Sequence, residues 1–493
     1  MNRPIKKVAI FCFALFAALF LEGNWIQVVK ASSYSAHADN YRNTIYNYQV
    51  QRGNIIVGST NVATSKATTS TTLKYQRVYS NGAEYAPVTG YFSSNYGTSS
   101  LEQFENTLLN GKDTRLATQN FLRKAEGKNQ AGGSIVTTIN AKAQDAAYQA
   151  LTSELSSVGE GAVAAINPKT GAILALVSAP SYDPNQLASA SSTTQNTYAT
   201  QLANNALQPK LDRALNQTYP PGSTFKIITS AAALTDGLSG QTITPSTSIS
   251  GAPLTTLTLP QSTSTISNSG GETCNSAVLM DAFAQSCNTV FGYVGMQLGT
   301  SNVQSMAQAF GFNKSGLSVP MSVSTSNFPT TGLSQAQLAQ SSIGQYNVTM
   351  TPLEGAMMAS AVANGGTIES PYLIAKELDT SGNVIASASP TTYSTPISGS
   401  VASELSTMMQ DVVTNGTATS LQNLGVSVAA KTGTAERGTG QNPVAWMVAY
   451  APANNPQVAV AVMVADNNVQ PSDAFGNSLA GPIAAAVIKA VIG

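Results

Sequence analysis

The longest uninterrupted apolar run lies near the start of the chain. Val8–Leu21 is 14 residues without a charge, preceded by Arg3, Lys6 and Lys7. Glu22 interrupts it, but Trp25-Ile26-Gln27-Val28-Val29 resumes the apolar character, so Val8–Val29 is long enough to cross a bilayer. The basic flank places the short N-terminus inside and the rest of the chain outside, with Trp25 near the outer interface. The small-residue site Ala36-His37-Ala38 lies too far past the apolar core for efficient cleavage, so the pattern predicts an uncleaved signal anchor.

Beyond the anchor the periodicity changes twice. Residues 31–133 read as a smaller extracytoplasmic domain. An ordered start near Tyr41–Gly58, with Gln51-Arg52-Gly53-Asn54-Ile55, leads into a Ser/Thr-rich loop, Ser59–Thr72. A helix is predicted over Ser100–Asn110, ended by Gly111, and Gly127–Gly133 reads as a linker. From residue 134 the signal is stronger. Asn140 caps a helix with Ala143, Ala147, Leu151 and Leu155 on one stripe. Ala162–Asn167 and Ala172–Ser178 read as a hairpin across Pro168-Lys169-Thr170-Gly171. Val426, Val428 and Ala430 alternate into a strand, and Val444–Tyr450 and Gln457–Ala465 form two more. Thr224–Leu234 is apolar nearly all round, as a buried central helix is, and Leu479–Ile492 is an apolar helix fit to cover a sheet. The prediction is an α+β domain with a five-stranded antiparallel sheet and helices on both faces, preceded by a smaller domain. Gln241–Thr273 is polar and loop-like, and no function is read from it.

Composition narrows the chemistry. Hydrophobic residues make up 42%, enough for a sizeable core in two or three domains. Charged residues are only 10%, and the net charge is zero. There is no basic footprint for nucleic acid. The single histidine, His37, lies far from every serine motif, which disfavours a Ser-His-Asp triad or a histidine-rich zinc site. Three cysteines are too few for a disulfide framework. Cys274 and Cys287 flank one helix, Ala277–Ala284, and two readings stay open, a bridge or two buried thiols.

The chemistry lies in three short motifs in order. Pro221-Gly222-Ser223-Thr224-Phe225-Lys226 comes first, Ser286-Cys287-Asn288 follows 63 residues after Ser223, and Lys431-Thr432-Gly433-Thr434 begins 145 residues after Ser286. A serine hydroxyl is a weak nucleophile until a base takes its proton, and without a nearby histidine that base must be lysine. Residues three apart share a helix face, which returns Lys226 beneath Ser223. Burial and a second cation, Lys431, would both lower its pKa until it accepts a proton near neutrality. Singly, Ser223 reads as a helix N-cap, Ser286-Cys287-Asn288 as a polar turn and Lys431-Thr432-Gly433 as a strand end. Their joint order favours catalysis.

Together these motifs resemble the penicillin-binding and serine β-lactamase superfamily, most closely the class B penicillin-binding proteins. The resemblance runs from about Ser134 onward and takes in Ala162–Asn167 with Pro168-Lys169-Thr170-Gly171, and Trp446–Tyr450 after the third motif. Tyr85-Ala86-Pro87-Val88-Thr89-Gly90-Tyr91 resembles the actinobacterial penicillin-binding protein A group. The resemblance implies a membrane-anchored serine D,D-transpeptidase that cross-links peptidoglycan stem peptides and is acylated by β-lactams. Ser223 would be the nucleophile and Lys226 its base. Ser286 would pass the proton to the leaving D-alanine, Asn288 would hold the peptide backbone, and Lys431 would supply positive charge. Thr432 and Thr434 would bind the terminal carboxylate, and the N–H groups of Ser223 and Thr434 would form the oxyanion hole. Gly433 would be glycine so that substrate can lie along the strand. No cofactor or metal is implied.

The resulting organisation is a cytoplasmic stub and anchor at 1–30, a non-catalytic pedestal at 31–133 and a transpeptidase domain at 134–493. Roughly 100 residues is too short for the glycan-polymerising domain that class A relatives carry there. The expected partners are therefore stem peptides, β-lactams, the cytoplasmic membrane and cell-wall synthesis proteins such as a glycan polymerase. A D,D-carboxypeptidase of the same fold and a structural scaffold for wall assembly are the alternatives.

Overall fold

The computed structural model describes all residues except 1–2, 31–47, 71–72, 439–440 and 470–474. The apolar N-terminal run forms one helix, Arg3–Asn24, continued by a wider turn at Trp25–Val29, with none of its residues buried. The 27 residues from Arg3 to Val29 are long and apolar enough to cross a membrane.

The C-terminal body is built on the expected five-stranded sheet. Its order is Ala429–Ala435, Val444–Ala451, Val458–Ala465, Glu160–Ile166, Ile173–Ala179, and every pairing is antiparallel. Val444–Ala451 and Val458–Ala465 are buried at every residue because helices cover both faces. Ala141–Glu154, capped by the Asn140 side chain, packs with Gly481–Ile492 on one face. Pro352–Ala363 covers the other face, together with Gly399–Thr414. The alternation of alanine with valine in Val458–Ala465 is what lets that helix approach. A Cβ added at Gly355 would lie 3.0 Å from that of Ala461 and 3.6 Å from Val448.

The smaller domain departs from the expectation in several places. The Ser/Thr-rich stretch expected as a loop is a strand, Thr60–Ala67, because Ile55–Val57 and Tyr75–Tyr79 give its backbone ladders on both sides. The helix expected over Ser100–Asn110 breaks at Glu105 into Ser100–Phe104 and Asn106–Leu109. The segment expected as a linker is packed: Ala131 bridges Gln51, and a Cβ at Gly132 would overlap the Leu109 carbonyl. A boundary at 133/134 runs through one six-stranded sheet. Its order is Val384–Ser387, Ile374–Leu378, Ser134–Thr137, Ile55–Val57, Thr60–Ala67, Tyr75–Tyr79, so strands from both regions share it.

A buried ion cluster closes this sheet on its helices. The Glu102 carboxylate accepts from Arg52 Nε at 2.5 Å, Arg77 Nε at 2.5 Å and Tyr79 Oη at 3.1 Å. Arg52 also lies 4.6 Å from the Phe92 ring centroid. Burial alone would raise the Glu102 carboxyl, but Arg52 and Arg77 hold it below the usual range. A carboxyl held down in the fold adds stability above its unfolded pKa and loses it as pH falls through the folded value. Replacing Glu102 by Gln leaves two guanidinium groups buried without a counter-charge, a loss of about 3–5 kcal/mol. Thermal melts are expected to show Glu102→Gln strongly destabilised at pH 7. They should also show it losing less stability than wild type between pH 5 and 3. Parallel pH dependence in the two proteins would remove Glu102 as the acid-sensitive group.

Candidate active site

The nucleophile segment is a tight turn, not the start of a regular helix. Gly222–Phe225 is 3-10 helical and Lys226–Asp236 continues it as an α-helix. Ser223 makes no capping bond, and among the described residues its hydroxyl has no hydrogen-bond partner. In a 3-10 turn, positions three apart eclipse, which keeps Ser223 and Lys226 on one side.

Both predicted lysines are fully buried and converge on Ser286. Lys431 Nζ donates to Ser286 Oγ at 2.9 Å, and Lys226 Nζ lies 3.3 Å from the same oxygen. Lys226 also donates to the Ser286 carbonyl at 2.6 Å and to Asn288 Oδ1 at 2.8 Å. Neither lysine forms an ion pair with a carboxylate among the described residues. Burial, and then the neighbouring Lys431, drives the Lys226 pKa well below the ordinary lysine value. Burial lowers that of Lys431 to about 7. The faces of Phe291 and Phe283 lie 5.5 Å from Lys226 Nζ and Lys431 Nζ respectively.

Ser286 reaches this position through strain. Its φ is +62°, the left-handed region that costs a non-glycine residue free energy. That conformation turns both its carbonyl and its hydroxyl toward the lysines. Two constraints hold it. Asn288 opens the long helix Asn288–Phe310, and a Cys274–Cys287 disulfide, with Cα atoms 6.0 Å apart, ties the intervening residue to the preceding loop. Cys274 directly follows Gln241–Thr273, the stretch to which the sequence assigned no role. That stretch holds a short hairpin, Thr256–Thr258 with Thr265–Ser267, which presents the Ser267 carbonyl to Asn288 Nδ2 at 3.1 Å. The next residue, Asn268, accepts from the Thr289 N–H.

The motif strand Ala429–Ala435 and the Ser223 turn meet through glycines. A Cβ at Gly433 would lie 2.8 Å from the Pro221 carbonyl and 2.9 Å from Thr224 Cγ2. The structure therefore gives Gly433 a different reason from the expected one: it lets the nucleophile turn sit against the strand. Gly222, at φ +52°, stands in the same contact, since its Cβ would be 2.5 Å from the Thr434 carbonyl. Trp446 Nε1 donates to the Pro220 carbonyl at 2.9 Å from the neighbouring strand. Thr432 Oγ1 is 2.6 Å from Thr417 Oγ1, a partner the sequence did not suggest, while Thr434 is half-buried.

One carboxylate joins the first and third motifs from behind. Glu160 accepts from Arg213 Nε at 2.9 Å and from Arg437 Nη1 at 3.1 Å. Arg213 precedes the nucleophile turn, and Arg437 follows the motif strand and donates to the Asn442 carbonyl across the hairpin. No local pattern marks Glu160; its partners are 53 and 277 residues away.

The predicted site residues thus fall in one place, with the two lysines fully buried and Ser223, Ser286, Asn288 and Thr434 half-buried. The arrangement sets the Ser223 hydroxyl on the same side of its turn as a buried lysine that readily gives up its proton, the surroundings a lysine-activated serine needs. Opening the disulfide with Cys274→Ser removes a constraint worth about 3 kcal/mol for a loop of this size. The expected result is a lower melting temperature and an acylation rate by penicillin reduced about tenfold, since a strained Ser286 relaxes. An unchanged rate in a folded variant would show that the loop does not hold Ser286. Glu160→Gln is expected to slow the same reaction about tenfold with Ser223 intact, because the two motif segments lose their shared anchor.

Comparison with known proteins agrees with this geometry. Residues 161–489 match the penicillin-binding protein transpeptidase domain, and residues 52–135 match the penicillin-binding protein A dimerisation domain. The chain is 39% identical to the peptidoglycan D,D-transpeptidase PbpA of Mycolicibacterium smegmatis, over 100% of this chain and 99% of that one. It is 38% identical to PbpA of Mycobacterium tuberculosis over the same shares. The fold is similar to that of penicillin-binding protein A from M. tuberculosis in a ceftriaxone acyl-enzyme complex. That match has a TM-score of 0.85 at 39% identity and covers 91% of this chain and 100% of the other. The chain belongs to the penicillin-binding protein family, in its transpeptidase branch.

Proposed function

We propose that this chain is a membrane-anchored serine D,D-transpeptidase whose nucleophile is Ser223 and whose substrates are peptidoglycan stem peptides. The convergence of two uncompensated buried lysines on Ser286 Oγ carries the reading. A neutral Lys226 has two N–H donors, which its bonds to the Ser286 carbonyl and Asn288 Oδ1 use. Its lone pair is then left for a proton from Ser223. Ser223 Oγ attacks the penultimate D-alanine carbonyl, and the backbone N–H groups of Ser223 and Thr434 hold the oxyanion. Lys226 returns its proton through Ser286 to the leaving D-alanine nitrogen, and the C–N bond breaks. An amine of a neighbouring stem peptide attacks the acyl-enzyme and gives its proton back along the same path. Lys431 keeps the pocket positive, and Thr432, Gly433 and Thr434 line the strand along which the donor peptide lies. The strands to be joined come from a glycan-polymerising partner on the same membrane face, the side on which the anchor places the catalytic body.

Incubating the full chain in detergent with a fluorescent penicillin, then locating the adduct by peptide mass spectrometry, tests the assignment. A stable adduct on Ser223 is expected, with none in Ser223→Ala and a rate about 10³-fold lower in Lys226→Ala. An adduct elsewhere would remove Ser223 from its role. A donor peptide offered with an amine acceptor should give cross-linked product; hydrolysis alone would mark a carboxypeptidase. The acylation rate should also depend on pH with two limbs. It rises as Lys226 loses its proton, because the base must be neutral. It falls above about 7 as Lys431 loses its own, because the charge must be present. Lys431→Arg, which stays protonated, should abolish the upper limb. A rate flat from pH 5 to 9 would contradict both lysine roles.

A further inference from the structure

The helix Ala117–Ala125 turns its apolar side outward. Thr118, Phe121, Leu122 and Ala125, spaced as one helical stripe, are all exposed, with Phe121 at 71% and Leu122 at 54%. The polar side faces the protein. Asn120 bonds the N–H and carbonyl of Ala131 and the Gly111 carbonyl, and Gln119 donates to Asp379 at 2.6 Å. A surface helix of a soluble domain carries the opposite arrangement.

Its position says what covers it. Ala131, which Asn120 holds, pairs with Gln51, and Gly132 N–H donates to the Gln51 carbonyl. The stripe therefore sits beside the point where the chain enters the pedestal from the anchor. The segment from Val29 to Tyr48 spans at most about 70 Å even fully extended. Arg123, Lys124 and Lys128 flank the stripe against one acid, Glu126. A two-fold contact with a second copy would bring these basic groups onto one another. Anionic lipid headgroups would instead pair with them.

We propose that this helix docks on the bilayer that holds the anchor, with Phe121 and Leu122 among the headgroups and the lysines on lipid phosphates. The proposal rests on the anchor reading of Arg3–Val29, and its test separates the two. A full-length Phe121→Trp chain in a Trp25→Phe background is placed in nanodiscs containing phosphatidylglycerol and brominated acyl chains; buried Trp446 gives a constant background. Emission from the introduced indole is expected to shift to the blue and fall about twofold on bromination. Lys124→Glu with Lys128→Glu should weaken this in anionic discs only. Phe121→Asp with Leu122→Asp, in the otherwise native chain, should leave penicillin acylation unchanged. Chain that does not co-elute with discs would overturn the anchor reading and the docking with it. Disc-borne chain whose introduced indole emits as in water would overturn the docking alone. Shielding seen only when two chains share a disc would replace the lipid by a second copy.

Discussion

The site depends on burying two lysine amino groups around one serine hydroxyl with no carboxylate among the described residues to balance them. An isolated buried charge is too costly to keep, so the pressure is relieved by giving up a proton. That is the state a lysine base requires. A nearby Asp or Glu would have satisfied the charge and kept both lysines protonated. Among the described residues the interior supplies only neutral partners instead: two carbonyls, an amide oxygen, a hydroxyl and two aromatic faces. The left-handed backbone at Ser286 is the conformational cost of presenting two of those partners from one residue.

Such a cluster works only if three distant segments are held in register. Each joint uses a different physical device. Missing side chains at Gly222 and Gly433 let the Ser223 turn touch the motif strand. A disulfide and the Asn268 carboxamide fix the Ser286 turn. The Glu160 carboxylate ties the approach to Ser223 to the exit from Thr434. Behind them the apolar sheet is rigid because its strands are packed on both faces.

The chemistry was more legible than its support. Ser223 and Lys226 could be singled out because a serine with no histidine close to it in the sequence needs a lysine as its base, whereas Ser286 and Asn288 were marked by the order of the motifs and the family they resemble; the fold brings all of them, with Lys431, to one cluster. The central sheet was legible because continuous apolar strands such as Val458–Ala465 leave few alternatives. Gln241–Thr273 and Thr60–Ala67 were not, since short polar strands carry no hydrophobic periodicity and exist through their ladders. Glu160 was invisible for another reason: its bonds join residues that only the tertiary fold brings together. Gly433 was expected to be glycine for the sake of the substrate; the contact that the fold itself shows excluding a side chain there is internal, against Pro221 and Thr224.

The two domains are less separate than the chain order suggests. The strand Ile374–Leu378 belongs to the pedestal sheet, yet Tyr372, just before it, accepts from Ile173 N–H of the central sheet. Thr138, just after Ser134–Thr137, donates to Leu373. Two chain crossings are therefore hydrogen-bonded at the seam, and rotation of one sheet against the other would break these backbone bonds. The buried Arg52–Glu102–Arg77 cluster stiffens the far side of the same small sheet. A pedestal fixed in this way transmits orientation. Whatever sets the orientation of the pedestal therefore also sets the orientation of the Ser223 turn and the motif strand beside it.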